Sequence, residues 1–547
     1  MKILIMNFTR LGDLIQTAPL VNGLKKKYPD SEIDYAALSS FSGILNYFDN
    51  LNEIISFDDK ILTENIKKDL WNGYFELKLK LDYINAKNYD LFISPIVSEQ
   101  SSVLGSLIKA KKKLGMFKNQ DGEQEILSPW TAFHLANEHH LGDRTFNLTD
   151  IFSGTGELDF ISGKSVPSAQ QNFYLLDKES EKAENFIKKI RRNKEKIVAF
   201  HIGASQSNKA WETEKFRVVI EGMLQYTDCR IVLLGAYKER GLLPYFSDID
   251  HERFHVLIDK TKLGELVSLM KHFDLLVTND TGPMHIAAAS GTEILNLSLG
   301  PVSLWETGPY SEKAVIMQAN IDCHPCKFDK ICSHLNCHNY ITPDAVFKAI
   351  VSILEKKDYY IADERIDYWQ TTTDIFGLKH NVPLKKRKIR KNEFFFEAKR
   401  CVWGMTMIKN LDPKLDWIKE SVSYLESAYF IDKFNFNSET RILNSLTANL
   451  RKFTEIIRQI SSLKLKSEKS IKKINRLWEN AKIIKEKLFA EAKEFSIIYD
   501  FFYYAIFLES SFKDSDFNRL IQKTLIVYDE LTMQLNILIK FINYKGN

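Results

Sequence analysis

Among the 547 residues the first with chemical promise is Asp13. An apolar run, Ile3 to Met6, leads straight into Thr9-Arg10-Leu11-Gly12-Asp13 and then into a helical pattern. Open α/β sheets bind ligands beyond the carboxyl ends of their strands, so a carboxylate on the first strand-to-helix turn can reach a substrate, while Gly12 lets the backbone approach closely. Two readings follow for Asp13, a catalytic base or a helix cap, the latter being common for Asp.

Two further segments share this grammar. Asn279-Asp280-Thr281-Gly282-Pro283-Met284-His285 follows Leu275-Leu276-Val277 and precedes Ile286-Ala287-Ala288-Ala289. Pro283 suits the first helical position, and the free N–H groups after it, with the helix dipole, make an anion site fit for a phosphate. Asp280 can accept hydrogen bonds from sugar hydroxyls. His201-Ile202-Gly203-Ala204-Ser205-Gln206-Ser207-Asn208-Lys209-Ala210-Trp211, after the strand pattern Ile197 to Phe200, adds hydroxyls and one cation. Together the two segments are suited to a diphosphate.

The Arg-Leu-Gly-Asp opening, the Gly-x-Ser-x-x-x-Lys-x-Trp segment and Asn-Asp-Thr-Gly-Pro-Met-His resemble glycosyltransferase family 9, the heptosyltransferases of lipopolysaccharide assembly, over roughly residues 1–357. The resemblance implies a GT-B fold, two Rossmann-like domains with ADP-heptose in the second and acceptor in the first, and inversion at the anomeric carbon without a catalytic metal. Carried across by motif, Asp13 is the base on the acceptor hydroxyl, with Arg10 and Gly12 on the acceptor side. Ser205 and Gln206 contact the donor phosphates, Lys209 neutralises them, and Asp280 with Thr281 and Gly282 holds the donor. For His285 the expectation is a packed, helix-facing ring. No Asp-x-Asp metal clamp accompanies either nucleotide-side segment, so lysine and helix-end amides would stabilise the departing diphosphate.

Four of the six cysteines fall within fifteen residues, Cys323-His324-Pro325-Cys326, Cys332 and Cys337. In a cytosolic chain such clustering reads as a structural metal finger, four thiolates closing a tetrahedral site around Zn or Fe without an open position. An Fe–S centre and unmetallated or redox-active thiols are the other readings, and His324, His334 and His338 are substitute ligands. The cluster is similar to the iron-finger cysteines of bacterial autotransporter heptosyltransferases, although its spacing does not match theirs residue by residue.

These residues need a scaffold, and alternating strand and helix patterns supply one. Ile3 to Met6, Ile33 to Ala37, Ile54 to Phe57 and Leu91 to Pro95 read as strands of a first parallel sheet, with Leu14 to Tyr28 the clearest helix. After a polar linker at Ser162 to Gln171, Ile197 to His201, Arg230 to Leu234, Phe254 to Ile258, Leu275 to Thr278 and Ile294 to Leu297 give a second. Pro343 to Lys356 reads as an amphipathic helix. The expected division is 1–170, acceptor side; 171–357, donor side with the finger at 323–337; and 358–547, an all-α domain with a basic linker. That last region has no glycine from 405 to 544, and Leu443, Leu446, Leu450, Phe453, Ile457 and Ile460 recur at helical spacing.

Composition sets the outer limits. Net charge is only +4 and 44% of residues are hydrophobic, which suits a multidomain chain with sizeable cores and excludes a general nucleic-acid signature. Met1-Lys2 enters a strand directly, with no secretory leader pattern, and no apolar run is long enough to span a bilayer. The expected location is cytoplasmic. Residues 385–400 hold eight basic and two acidic side chains beside Phe394-Phe395-Phe396. This reads either as a surface for anionic lipid at the inner membrane or as a solvated basic linker whose phenylalanines begin a packed helix; nucleic-acid binding, a third reading, is disfavoured because no RNA- or DNA-binding motif accompanies the run.

Three hypotheses remain at this stage. The first is an inverting heptosyltransferase with a lipid-linked lipopolysaccharide-core acceptor. The second is a protein O-heptosyltransferase whose finger and helices build a homo-oligomer that grips a polypeptide. A scaffold on a retained fold is the third, disfavoured because Asp13, Lys209 and Asp280 are all present.

Overall fold

The computed structural model describes residues 1–59, 70–138, 144–160, 173, 177–326, 332–463, 468–512 and 516–544. The expected linker at 162–171 lies outside them. The chain divides into two compact units, Met1–Leu91 with Phe146–Lys386, and Phe92–Thr145 with Arg387–Asn547.

The first unit is α/β with mainly parallel strands, a GT-B-like arrangement. Strands β1 (Lys2–Asn7), β2 (Glu32–Leu38) and β3 (Glu53–Phe57) pair in parallel in the order β3-β2-β1, and β4 (Tyr89–Ser94) follows on the other side of β1. The unit boundary cuts β4 after Leu91. Ile3 to Met6 are fully buried, as a central parallel strand covered on both faces requires. The helix pattern expected at 14–28 is two helices, Leu11–Gln16 and Ala18–Lys27, broken at Thr17 with Pro19 in the first turn of the second.

Strands β5 (Ala110–Lys118) and β6 (Gln124–Ile126) fall in the second unit, and the larger sheet, in the first, runs β14 (Lys379–Pro383)-β13 (Ile366–Thr373)-β12 (Ala314–Ala319)-β11 (Glu293–Ser298)-β10 (Leu275–Asn279)-β7 (Ile197–His201)-β8 (Arg230–Leu234)-β9 (Phe254–Val256). Five strands lie where the alternation places them: β7 (Ile197–His201), β8 (Arg230–Leu234), β9 (Phe254–Val256), β10 (Leu275–Asn279) and β11 (Glu293–Ser298). Strand β12 (Ala314–Ala319) joins parallel to β11. Strands β13 (Ile366–Thr373) and β14 (Lys379–Pro383) then add an antiparallel hairpin. This hairpin belongs to residues that the sequence reading assigns to the helical region. Its period-2 burial is weak in the sequence, so only pairing with β12 reveals it. Helix Pro343–Glu355 packs on helix Thr213–Tyr226 of the same half, where Phe347 meets the Tyr226 ring.

In the second unit the long C-terminal helices are Asn437–Ser462, Glu468–Glu494 and Phe517–Ile542. The 443–460 stripe is buried, as its spacing demands. Helices Lys391–Met407 and Tyr499–Ser510 share their core with the segment 92–145: Trp403 stacks on Phe501 at 4.6 Å between ring centroids and meets Phe133 edge-on at 4.8 Å. A buried ion pair, Lys399 Nζ to Asp500 Oδ1 at 3.1 Å, sits beside the Trp403 Nε1–H bond to Asp500 Oδ2 at 2.9 Å.

The phenylalanines of the basic run are packed. Phe394 and Phe395 are buried, Phe394 against Phe436 and Phe541. Lys385 pairs with Asp358, Arg387 and Arg390 with Glu393, Lys388 with Asp432 and Lys391 with Glu439. The aromatics start a packed helix, as the second reading of this run expects, while Lys385, Lys388 and Lys391 are ion-paired yet exposed. Among the described residues no helix is long and apolar enough to cross a membrane.

Candidate active site

The turns after β1 and β10 interlock. A methyl group built on Gly12 would stand 2.8 Å from Cδ2 of the His285 ring, and one built on Gly282 would stand 2.8 Å from Cδ2 of Leu11. Each glycine therefore accepts the other turn's side chain, and any larger residue would force the pair apart. Here, rather than in a turn conformation, lies the reason for glycine at both positions.

This contact brings the charged residues together. Asp13 is the third residue of helix Leu11–Gln16, and its Oδ2 accepts the Arg10 backbone N–H at 3.3 Å. Asp13 thus caps its helix as the simpler reading expects, yet it also faces the opposite turn. Burial raises its pKa above the ordinary carboxylate value, opposed by His285, the Arg10 N–H and the Thr9 side chain, while Asp280 pushes it up further. His285 is buried, which lowers its pKa; Asp280 and Asp13 act against that shift and Lys209 with it. Asp13, Lys209, Asp280 and His285 therefore form one electrostatic cluster. Asp280 is itself anchored, with Thr307 Oγ1 donating to its Oδ2 at 2.8 Å.

The loop after β7 is laced to the strand ends by Asn279. Its Nδ2 donates to the carbonyls of Ile202 and Gly203 at 3.2 and 3.1 Å, and its Oδ1 accepts the Trp211 N–H at 3.1 Å. The buried Trp211 ring pins the loop from below, with Nε1 donating to the Ile341 carbonyl at 3.0 Å. Between these anchors Ser205 and Gln206 are exposed and Lys209 is half-buried. Thr281 Oγ1 lies 3.3 Å from His201 Nδ1. Burial lowers the His201 pKa to about 4, so that ring is neutral at physiological pH. Arg10 is exposed at the mouth of its turn.

The cysteine-bearing segment buttresses the same loop. Cys337 is buried, its sulfur accepts the backbone N–H groups of Gly300 and His338, and the thiols of Cys332 and Cys323 act on it electrostatically. Cys332 Sγ accepts the Leu335 N–H at 3.4 Å. Burial raises the Cys337 pKa and the two backbone amides work against it, and among the described residues the cysteine sulfurs are not gathered within ligand distance of one another. Cys326 donates its N–H to the Gly300 carbonyl at 3.0 Å. Gly300 has φ of +64°, and a Cβ there would stand 2.4 Å from the Asn208 carbonyl oxygen. The same oxygen lies 3.0 Å from His338 Nε2. The thiol segment thus touches the loop that carries Lys209.

Residues 80–338 match the model of glycosyltransferase family 9 (heptosyltransferase). Over this stretch the chain is similar to family 9 glycosyltransferases. It is similar to lipooligosaccharide heptosyltransferase 2 of Campylobacter jejuni, 24% identical over 365 residues, covering 65% of this chain and 99% of that protein. It is also similar to lipopolysaccharide heptosyltransferase 3 of Escherichia coli, 26% identical over 302 residues, covering 52% of this chain and 79% of that one. Among solved structures, a family 9 glycosyltransferase from Veillonella parvula superposes with a TM-score of 0.52 at 23% identity, covering 65% of this chain and 97% of that chain. The family 9 match contains the 205–209 loop, the Asp280 turn and all four clustered cysteines.

Sequence reasoning did not single out every partner in this cluster. Thr307 sits in a segment with no motif of its own. His285 is buried as expected, but its ring faces the acceptor-side turn, a direction that helical periodicity does not give. Asn208, read only as part of a motif, joins the loop to the cysteine segment.

Proposed function

We propose that this chain is an inverting heptosyltransferase that transfers heptose from ADP-heptose to a lipopolysaccharide inner-core acceptor, without a catalytic metal. The convergence of Asp13, Asp280, His285 and Lys209 at the meeting of two strand-to-helix turns carries the reading. The names of the related heptosyltransferases support the sugar and the acceptor class.

In this reading residues 1–170 present the acceptor and residues 171–357 the donor. Asp13 takes the acceptor hydroxyl proton as the acceptor oxygen bonds to the anomeric carbon. The bond from that carbon to the phosphate oxygen breaks, ADP leaves with the electron pair, and inversion follows from attack opposite the leaving group. A base of this kind contributes about 10²- to 10⁴-fold. Lys209 and the N-terminal amides of helix Gly282–Ser290 stabilise the charge that develops on the diphosphate. Ser205, Gln206 and the Thr281 and Gly282 backbone line the phosphates, Asp280 holds the sugar, and Arg10 and Gly12 shape the acceptor side. A structural Zn or Fe on Cys323, Cys326, Cys332 and Cys337 would cross-link the segment beneath the 205–209 loop, and its role is to position that loop.

The test is ADP release and product formation by the full chain with ADP-heptose, ADP-glucose, UDP-glucose and GDP-mannose, using a heptose-deficient core acceptor. Turnover confined to ADP-heptose and lost in Asp13→Asn is the expected result. Equal use of another donor would refute the heptose assignment, and no turnover of any donor would refute the transferase reading.

A further inference from the structure

Beside His285 lies a cavity of about 20 Å³ lined by Ile15, Gln16, Pro19, Thr149, His285 and Tyr310, with Ala288 and Ala289 completing it. Gln16 is 3% exposed, and both atoms of its carboxamide are buried without a hydrogen-bond partner. The Thr149 hydroxyl is also buried and unpartnered. A buried amide left without partners costs far more than a paired one gains. Two such side chains on one cavity are therefore a built polar site. Apolar cavities of this size stay dry, but a polar one that holds one probe sphere and offers two to four partners takes a water. Gln16 offers a donor and an acceptor, and Thr149 a hydroxyl. Tyr310 commits its proton to Asp150 Oδ1 at 2.7 Å, which leaves its oxygen able to accept.

We propose that this cavity binds one internal water held by Gln16 and Thr149, and that the water backs the His285 ring, making Gln16 a positioning residue for the His285–Asp13 pair. Gln16 lies one helical turn after Asp13, so both side chains leave the same face of helix Leu11–Gln16. The water lies beside a ring that also rests on Gly12. The positioning role rests on the proposed transferase reading; the water site does not.

Two sets of measurements separate them. In Gln16→Met a thioether of similar length replaces the carboxamide. If the site holds water, the variant melts at or below the wild-type temperature, because a satisfied group is lost; if the amide is dry, removing it raises the melting temperature and overturns the water site. A crystal structure of the wild-type chain at water-resolving resolution shows density within hydrogen-bond distance of Gln16 and Thr149, or by its absence also overturns the site. Thr149→Val serves as the second variant should Gln16→Met fail to fold. For the positioning role, kcat with ADP-heptose falls about fivefold in Gln16→Met, the worth of one hydrogen bond. Donor KM holds and the acid limb of the kcat profile moves. Unchanged kcat and pH profile overturn that role. A wild-type chain inactive on every donor counts against the transferase reading, and density and melting still decide the water site.

Discussion

The imidazole of His285 rests on the backbone of Gly12, so close that a Cβ at position 12 would stand 2.8 Å from the ring. Two turns more than 270 residues apart in sequence thus share one surface, and the charge of Asp280 acts on Asp13 across it.

Gly12→Ala tests that surface. Alanine is the better helix former by up to about 1 kcal/mol, and position 12 lies in helix Leu11–Gln16, so the fold has no local reason to suffer. The ring must move instead. Misplacement of this order costs about 10- to 10²-fold in rate, so kcat should fall, and overpacking the two turns should also lower the melting temperature. Steady-state kinetics and a thermal melt measure both.

Asp13→Asn should keep donor affinity and lose about 10²-fold or more in kcat. Because burial raises the Asp13 pKa, the wild-type rate should fall with acid at a pH above the ordinary carboxylate range, as the base becomes protonated. That limb should vanish in the variant. A loss of less than about tenfold would count against Asp13 as the base.

Thr307 holds Asp280 through one hydrogen bond. Thr307→Val keeps the shape and removes the donor, so donor KM should rise about fivefold with kcat little changed. Isothermal titration with the nucleotide sugar gives the same comparison without turnover.

The cysteine segment should act on donor binding from a distance. Cys337→Ala removes the sulfur that accepts the Gly300 N–H, and Gly300 abuts Asn208. Donor KM should rise about tenfold or more, as for lost metal-site partners, and the melting temperature should fall. Elemental analysis of the wild type should find one Zn or Fe per chain, and chelation should reproduce the variant.

Asp150 gives a pH signature of stability. It is fully buried, accepts Tyr310 OH and the Lys379 N–H, and burial with nearby Asp374 carries its pKa from 3.8 to about 7. The folded state therefore binds a proton that the unfolded state has lost over this window. Stability should decline as pH rises from about 4 to about 7 and level off above, the sign required by linkage. Asp150→Asn should remove that decline, as urea titrations at several pH values would show.

Much of the fold was legible because its signals are local. Buried parallel strands read as continuous apolar runs such as Ile3 to Met6 and Ile197 to His201, and glycine-bearing turns directly after them marked the site. The long helices near 437–462 and 517–542 follow from a 3.6-residue apolar period. Other features carry no local signal. The hairpin Ile366–Thr373 with Lys379–Pro383 exists because β12 offers it an edge, and the segment 92–145 shares a core with helices some 300 residues later. The phenylalanines after the basic run look the same in sequence whether they face lipid or Phe541.

By itself the sequence determined the strand-turn-helix units and the residue types at their ends: a carboxylate, a lysine loop, an aspartate turn and four clustered thiols. Only the tertiary structure decided which of these meet. Side-chain direction across a cleft depends on how two turns pack, and Gly12 with His285 and Gly282 with Leu11 set that packing through contacts no local pattern encodes.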